Sequence, residues 1–93
     1  MSYHVEIAPA AQRDVKHLPS EVIRKVDATI LELEQNPRPH GCTKLEGSED
    51  EYRVRVGDYR ILYVIDDKAK LVTIAHVRHR RDAYRKRTVL TYR

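Results

Sequence analysis

Tyr52-Arg53-Val54-Arg55-Val56-Gly57-Asp58-Tyr59-Arg60-Ile61-Leu62-Tyr63 is the stretch that decides the fold. Apolar and aromatic residues alternate with arginines on both sides of Gly57-Asp58, a pair suited to a two-residue turn. The pattern predicts strands over residues 52–56 and 59–65, closed into an antiparallel hairpin. Such a turn fixes the register. Val56 then opposes Tyr59, Arg55 opposes Arg60, Val54 opposes Ile61 and Arg53 opposes Leu62. Because side chains alternate between faces, Tyr52, Val54, Val56, Tyr59, Ile61 and Tyr63 share a core-facing side. Arg53, Arg55 and Arg60 share the other.

Like charges directly opposite one another in a sheet are unfavourable by a few tenths of a kcal/mol or more. A surface shaped for solubility alone would mix the signs. Clustered guanidiniums therefore suggest an anionic ligand, against the plainer reading of arginine stems on apolar neighbours with their heads in water. A third strand is expected over residues 71–77, after the turn Asp66-Asp67-Lys68-Ala69-Lys70. If Ile65 pairs with Leu71, Arg78 joins the face of Arg60. The five-residue turn also permits a slip of one residue. Arg78, Arg80, Arg81, Arg85, Lys86, Arg87 and Arg93 then make the C-terminus basic. Together with the sheet face they describe a surface for a phosphodiester backbone.

Working outward, residues 2–8 read as a first strand, with Tyr3, Val5 and Ile7 alternating with His4 and Glu6. Pro9 suits the first turn of a helix over residues 10–17. Ser20 is placed as the N-cap of the clearest helix, residues 21–35, with Val22, Val26, Ile30 and Leu33 in one stripe widened by Ile23. Asn36-Pro37-Arg38-Pro39 stops it. Residues 40–50 are expected as a loop anchored by Leu45, residues 81–87 as a short helix, and residues 88–93 as a tail. This order predicts a single α+β domain over residues 1–93: an antiparallel sheet with a mixed edge, two N-terminal helices on one face and a short C-terminal helix.

The totals are consistent with that picture. The chain has 93 residues, a net charge of +4 and a pI of about 9.4, which suits a small basic domain meeting a polyanion. Phe and Trp are absent, so Leu, Ile, Val and Tyr must build the core. Cys42 is the only cysteine, which excludes an internal disulfide and fits a reducing cytoplasm. No apolar run is long enough to span a membrane, so no membrane association is expected. The five histidines show no metal-ligand spacing, and no glycine-rich phosphate loop is present, so neither a metal nor a cofactor is expected.

His79 and Tyr84 bear on whether such a surface only binds. Each is by itself more often structural. Among guanidiniums able to stabilise a phosphorane-like transition state, they gain a chemical meaning. RNA carries its own nucleophile, the 2′-hydroxyl. Its cleavage needs alignment, charge neutralisation and proton transfer, without a metal. Arginine neutralises charge but is too basic to take a proton at neutral pH, whereas histidine can. Tyrosine can stack on a base or assist proton transfer.

The hairpin quoted above resembles the central hairpin of RelE-type toxins of bacterial and archaeal toxin–antitoxin modules. Val77-Arg78-His79-Arg80-Arg81-Asp82-Ala83-Tyr84-Arg85 resembles that family's C-terminal motif, and the helical N-terminal half and the Pro37 and Lys44-Leu45 loop also fit. The resemblance implies a RelE/ParE-like fold and an endoribonuclease that cuts mRNA in the ribosomal A site by 2′-hydroxyl attack. It implies a cognate antitoxin, partnership with ribosome and mRNA, and binding of operator DNA by the complex through the antitoxin. Carried over by position, Arg53 and Arg55 match RNA-contacting hairpin residues. Arg60 and Arg78 match arginines that hold the scissile phosphate, and Tyr84 matches a base-stacking tyrosine. Arg80, Arg81 and Arg85 add to the RNA-binding surface. The best-known member has lysines at the positions of Arg53 and Arg55, so His79 becomes the leading general base. The alternatives are a ParE-like toxin of DNA gyrase and a non-enzymatic basic module that binds nucleic acid or protein.

Overall fold

A computed structural model describes residues 2–81 of the chain. Its elements are β1 (His4–Ile7), α1 (Pro9–Lys16), α2 (Ser20–Gln35), β2 (Thr43–Lys44), β3 (Glu51–Val56), β4 (Tyr59–Asp66) and β5 (Leu71–His79). The helix expected over residues 81–87 and the tail beyond it lie outside the described residues, apart from Arg81. The strands form one sheet in the order β1-β5-β4-β3-β2. β1 runs parallel to β5, and the other pairings are antiparallel. This is the α+β sheet with a mixed edge expected from the sequence.

The hairpin of β3 and β4 has the register its turn demands, with Val56 opposite Tyr59 and Arg55 opposite Arg60. Gly57 takes a φ of 59°, a conformation that disfavours any residue with a Cβ. The second hairpin departs from the simplest expectation twice. Asp66, not Ile65, faces Leu71, a slip of one residue. Unopposed, that slip would send Arg78 to the core. Between Leu62 and Tyr63 the register shifts again: their partners are His76 and Ile74, and Ala75 bulges out between them. The two one-residue shifts add to two, which restores the expected face, and Arg78 lies opposite Arg60. The driving force is apolar: with this phasing Val72, Ile74 and Val77 all turn inward and are buried.

Both helices cover that inward face. Val26 and Leu33 of α2 and Ala11 of α1 are fully buried against Ile61, Tyr63, Val72 and Ile74, and Val22 and Ile30 pack alongside. Each buried aliphatic side chain contributes about 1.5–3 kcal/mol of transfer free energy. Pro9 occupies the first turn of α1 as expected. The N-cap of α2 is Pro19 rather than Ser20, and its carbonyl accepts the N–H groups of Val22 and Ile23, both at 3.0 Å. Pro19 already holds the extended backbone a cap requires, so Ser20 becomes the first helical residue. Residues 40–50 are not all loop: Thr43 and Lys44 pair with Arg53 and Tyr52 and form the outer strand. Among the described residues, no helix is long and apolar enough to cross a membrane.

The end of the sheet away from the Gly57 turn is fastened by polar groups. The Tyr63 hydroxyl donates to the Pro37 carbonyl at 2.8 Å, and burial pushes that hydroxyl well above the usual tyrosine range. Arg38 donates through Nε to the Tyr52 hydroxyl and forks onto Asp67 at 3.2 and 2.9 Å. The Tyr3 hydroxyl donates to the same carboxylate at 2.7 Å. The Arg38 guanidinium, followed by the Tyr3 hydroxyl, holds the Asp67 carboxyl down at about 2.

Candidate nucleic-acid interface

On the sheet face away from the helices, alternation lines up guanidiniums from three adjacent strands. Arg53 and Arg55 project from β3, Arg60 from β4 and Arg78 from β5, with Arg55 opposite Arg60 and Arg60 opposite Arg78. Arg53, Arg55 and Arg60 line a shallow polar hollow with Gly41 and Thr43. Several resting partners are weak or local. Arg55 Nε donates to the Gly57 carbonyl at 3.3 Å, and a terminal nitrogen of Arg60 donates to the Tyr59 carbonyl at 3.2 Å. Bonds of this kind leave guanidinium protons available for an incoming phosphate.

Arg78 is held differently. One terminal nitrogen lies 3.5 Å from Oδ1 of Asp14 on α1, and the other lies 3.0 Å from Nδ1 of His76. His76 faces Leu62 across the strands and therefore belongs to the arginine face. Sequence reading passed over it, although its i, i+2 relation to Arg78 carries that information. Asp14 had no comparable signal, because its role depends on where α1 docks.

His79 is not brought to this cluster. It follows Arg78 in the same strand, so it turns to the opposite face and lies across from Tyr59. The two rings meet edge to face, with centroids 5.3 Å apart. Its Nδ1 accepts the Arg81 N–H at 3.4 Å. Arg80 and Arg81 are exposed at the end of β5, and the Arg80 N–H donates to the Asp58 carbonyl at 2.8 Å, tying that end to the hairpin turn. Tyr84 and Arg85 lie outside the described residues. Among the described residues, no group of three or more His, Cys, Asp or Glu side chains is placed to hold a metal ion.

The geometry thus defines an α+β domain with a cationic sheet face suited to phosphate. Comparison with known proteins gives the class. The family described as ParE toxin of type II toxin–antitoxin system, parDE, matches residues 5–84, and the chain belongs to that family. Toxin RelE of Mycobacterium tuberculosis is 36% identical over 84 residues, covering 89% of this chain and 87% of that protein. Among solved structures, an archaeal RelE–RelB complex from Pyrococcus horikoshii matches with a TM-score of 0.77 and 33% identity, over 86% of this chain and 97% of the other. The toxin–antitoxin complex RelBE2 of M. tuberculosis matches with a TM-score of 0.76 and 30% identity, over 85% and 99%.

Proposed function

We propose that this protein is a ribosome-dependent endoribonuclease, the toxin of a type II pair, that cuts mRNA in the ribosomal A site and so inhibits translation. The observation that carries the reading is the direct opposition of Arg60 and Arg78 on the open sheet face. Two guanidiniums there can bind the scissile phosphate and stabilise the charge that develops on it. Arg53 and Arg55 extend the cationic surface along the RNA backbone, and Arg80 and Arg81 continue it beyond β5. Arg85 is assigned to RNA binding by the family resemblance alone. The RNA supplies its own 2′-hydroxyl as nucleophile, so the protein contributes alignment, neutralisation and proton transfer. Tyr84 takes the base-stacking role. The assignment of proton transfer to His79 gains no support from its position against Tyr59, and His79→Ala tests it directly.

The partners follow from the same reading. A cognate antitoxin would neutralise the protein, consistent with the complexes formed by its structural relatives, and the pair would bind operator DNA through the antitoxin. Action on translating ribosomes places the protein in the cytoplasm. The test is mapping of mRNA 5′ ends after induction, with and without ribosome engagement; cuts within codons only on engaged mRNA are the expected result.

A second reading is favoured by the family's own description as ParE toxins: inhibition of DNA gyrase. Altered plasmid supercoiling with intact mRNA after induction would establish it instead.

A further inference from the structure

β1 covers only the first half of β5. His4–Ile7 pairs with the segment from Leu71 to Ile74, and pairing stops where Ala75 bulges. β1 ends at Ile7 and the chain enters α1 at Pro9, so the edge of β5 beyond Ile74 has no strand beside it among the described residues. In the gap lies α1, whose Asp14 does what a strand would have done: its Oδ2 accepts the Val77 N–H at 2.9 Å. The same carboxylate reaches around the edge to the arginine face. Oδ2 is 3.5 Å from His76 Nδ1, and Oδ1 is 3.5 Å from Arg78. The Asp14 side chain is 14% exposed and that of Arg78 27%, so water and salt screen this pair less than a surface pair.

The conformation of Arg78 needs an explanation, because its Nε is buried with no hydrogen-bond partner among the described residues. An unsatisfied buried donor is unfavourable. The bracket of Asp14 and His76 on the two terminal nitrogens therefore sets the pose.

The geometry points to Asp14 as the positioning residue for Arg78, an inference that rests on the phosphate-binding role proposed above. A carboxylate on α1 fixes, from the sheet edge, the guanidinium that meets the scissile phosphate, and His76 braces it laterally. A neutral acceptor would satisfy the Val77 N–H equally well. The negative charge serves Arg78, which faces Arg60 across the strands and would otherwise be pushed aside. Asp14 itself stays behind Arg78 and makes no contact with RNA.

Asp14→Asn separates the two duties, since its amide oxygen can still accept from Val77. In single-turnover cleavage of ribosome-bound mRNA, D14N should lower the rate constant about tenfold while leaving the concentration dependence within about twofold. In an Arg78→Ala background the same change should cost nothing further, whereas a merely structural role would subtract equally in both. A second readout does not require activity: the Arg78 Nε–Hε heteronuclear NOE should be high in the wild type and collapse in D14N. His76→Leu leaves the Val77 bond intact and should lower the same NOE, which keeps the test available should D14N misfold. Equal losses in both backgrounds, or an Arg78 as ordered in both variants as in the wild type, overturn the inference. A folded wild type that cuts no mRNA overturns the proposed function instead, and the NOE still decides whether Asp14 holds Arg78.

Discussion

Arg60 and Arg78 face each other directly across β4 and β5, two like charges in the position where a sheet tolerates them least. The Asp14 carboxylate offsets that repulsion at Arg78, and a phosphate bound between the two guanidiniums would offset it further. Arg60→Ala and Arg78→Ala should each lower mRNA cleavage by about 100-fold or more, the scale seen when one transition-state donor is removed. Arg60→Ala should move stability by no more than about 0.5 kcal/mol in urea unfolding. Arg78→Ala, which strips the half-enclosed Asp14 carboxylate of its guanidinium, should cost about 1–3 kcal/mol. An Arg60→Ala, Arg78→Ala double variant that still arrests growth would sink the mechanism.

His79 faces Tyr59 rather than the arginines. His79→Ala should keep cleavage within about threefold of wild type and lose about 0.5–1.5 kcal/mol of stability with the edge-to-face contact. The two measurements run on the same purified variant. A folded His79→Ala protein slowed by about 100-fold or more would return the proton-transfer role to this residue.

Asp67 predicts an acid limb in the stability profile. Its carboxyl lies at about 2 in the folded protein against an ordinary 3.8, held there by Arg38 and then Tyr3. A depressed folded value means the contribution is fully present above the unfolded pKa and is lost as pH falls through the folded one. Stability should therefore decline between about pH 4 and pH 2. Asp67→Asn should flatten that decline while leaving the profile near neutrality parallel to wild type, as read from urea midpoints across the range.

Tyr63 is the buried link between the sheet and the segment after α2, 1% exposed and bonded to the Pro37 carbonyl. Tyr63→Phe keeps the ring stacked on Tyr52 and removes only the hydroxyl. The expected loss is about 1–3 kcal/mol, because the acceptor is left unpaired. An absorbance titration should find this hydroxyl protonated well past the ordinary tyrosine range, until the chain unfolds.

The first hairpin was legible in full, because a two-residue turn at Gly57-Asp58 leaves no freedom in register. The second was legible only in outcome. Arg78 reached the expected face through a slip and a bulge that add to two residues, one full period of the strand. The sequence does carry a trace of the bulge: inward residues Val72, Ile74 and Val77 step by two and then by three. The face of His79 was missed because the strand was expected to stop at Val77, whereas alternation continues to the end of β5. β2 was invisible for a different reason, since two residues cannot show a period. Asp14 lay beyond reach because a helical residue's partner across the fold is a tertiary fact.

The bulge at Ala75 divides β5 into halves that answer to different demands. The segment from Leu71 to Ile74 is gripped between β1 and β4, and substitutions there should register as lost stability. The segment from His76 to His79 has a strand on one side only. His76 and Arg78 face the cationic side, where substitutions should register as altered activity, while Val77 and His79 face the other way and should register as lost stability. Ala75 itself is an absorbed extra residue, so a chain lacking it would keep Arg60 opposite Arg78. Mutational tolerance along this single strand should therefore be governed by stability alone before Ala75 and alternate residue by residue after it.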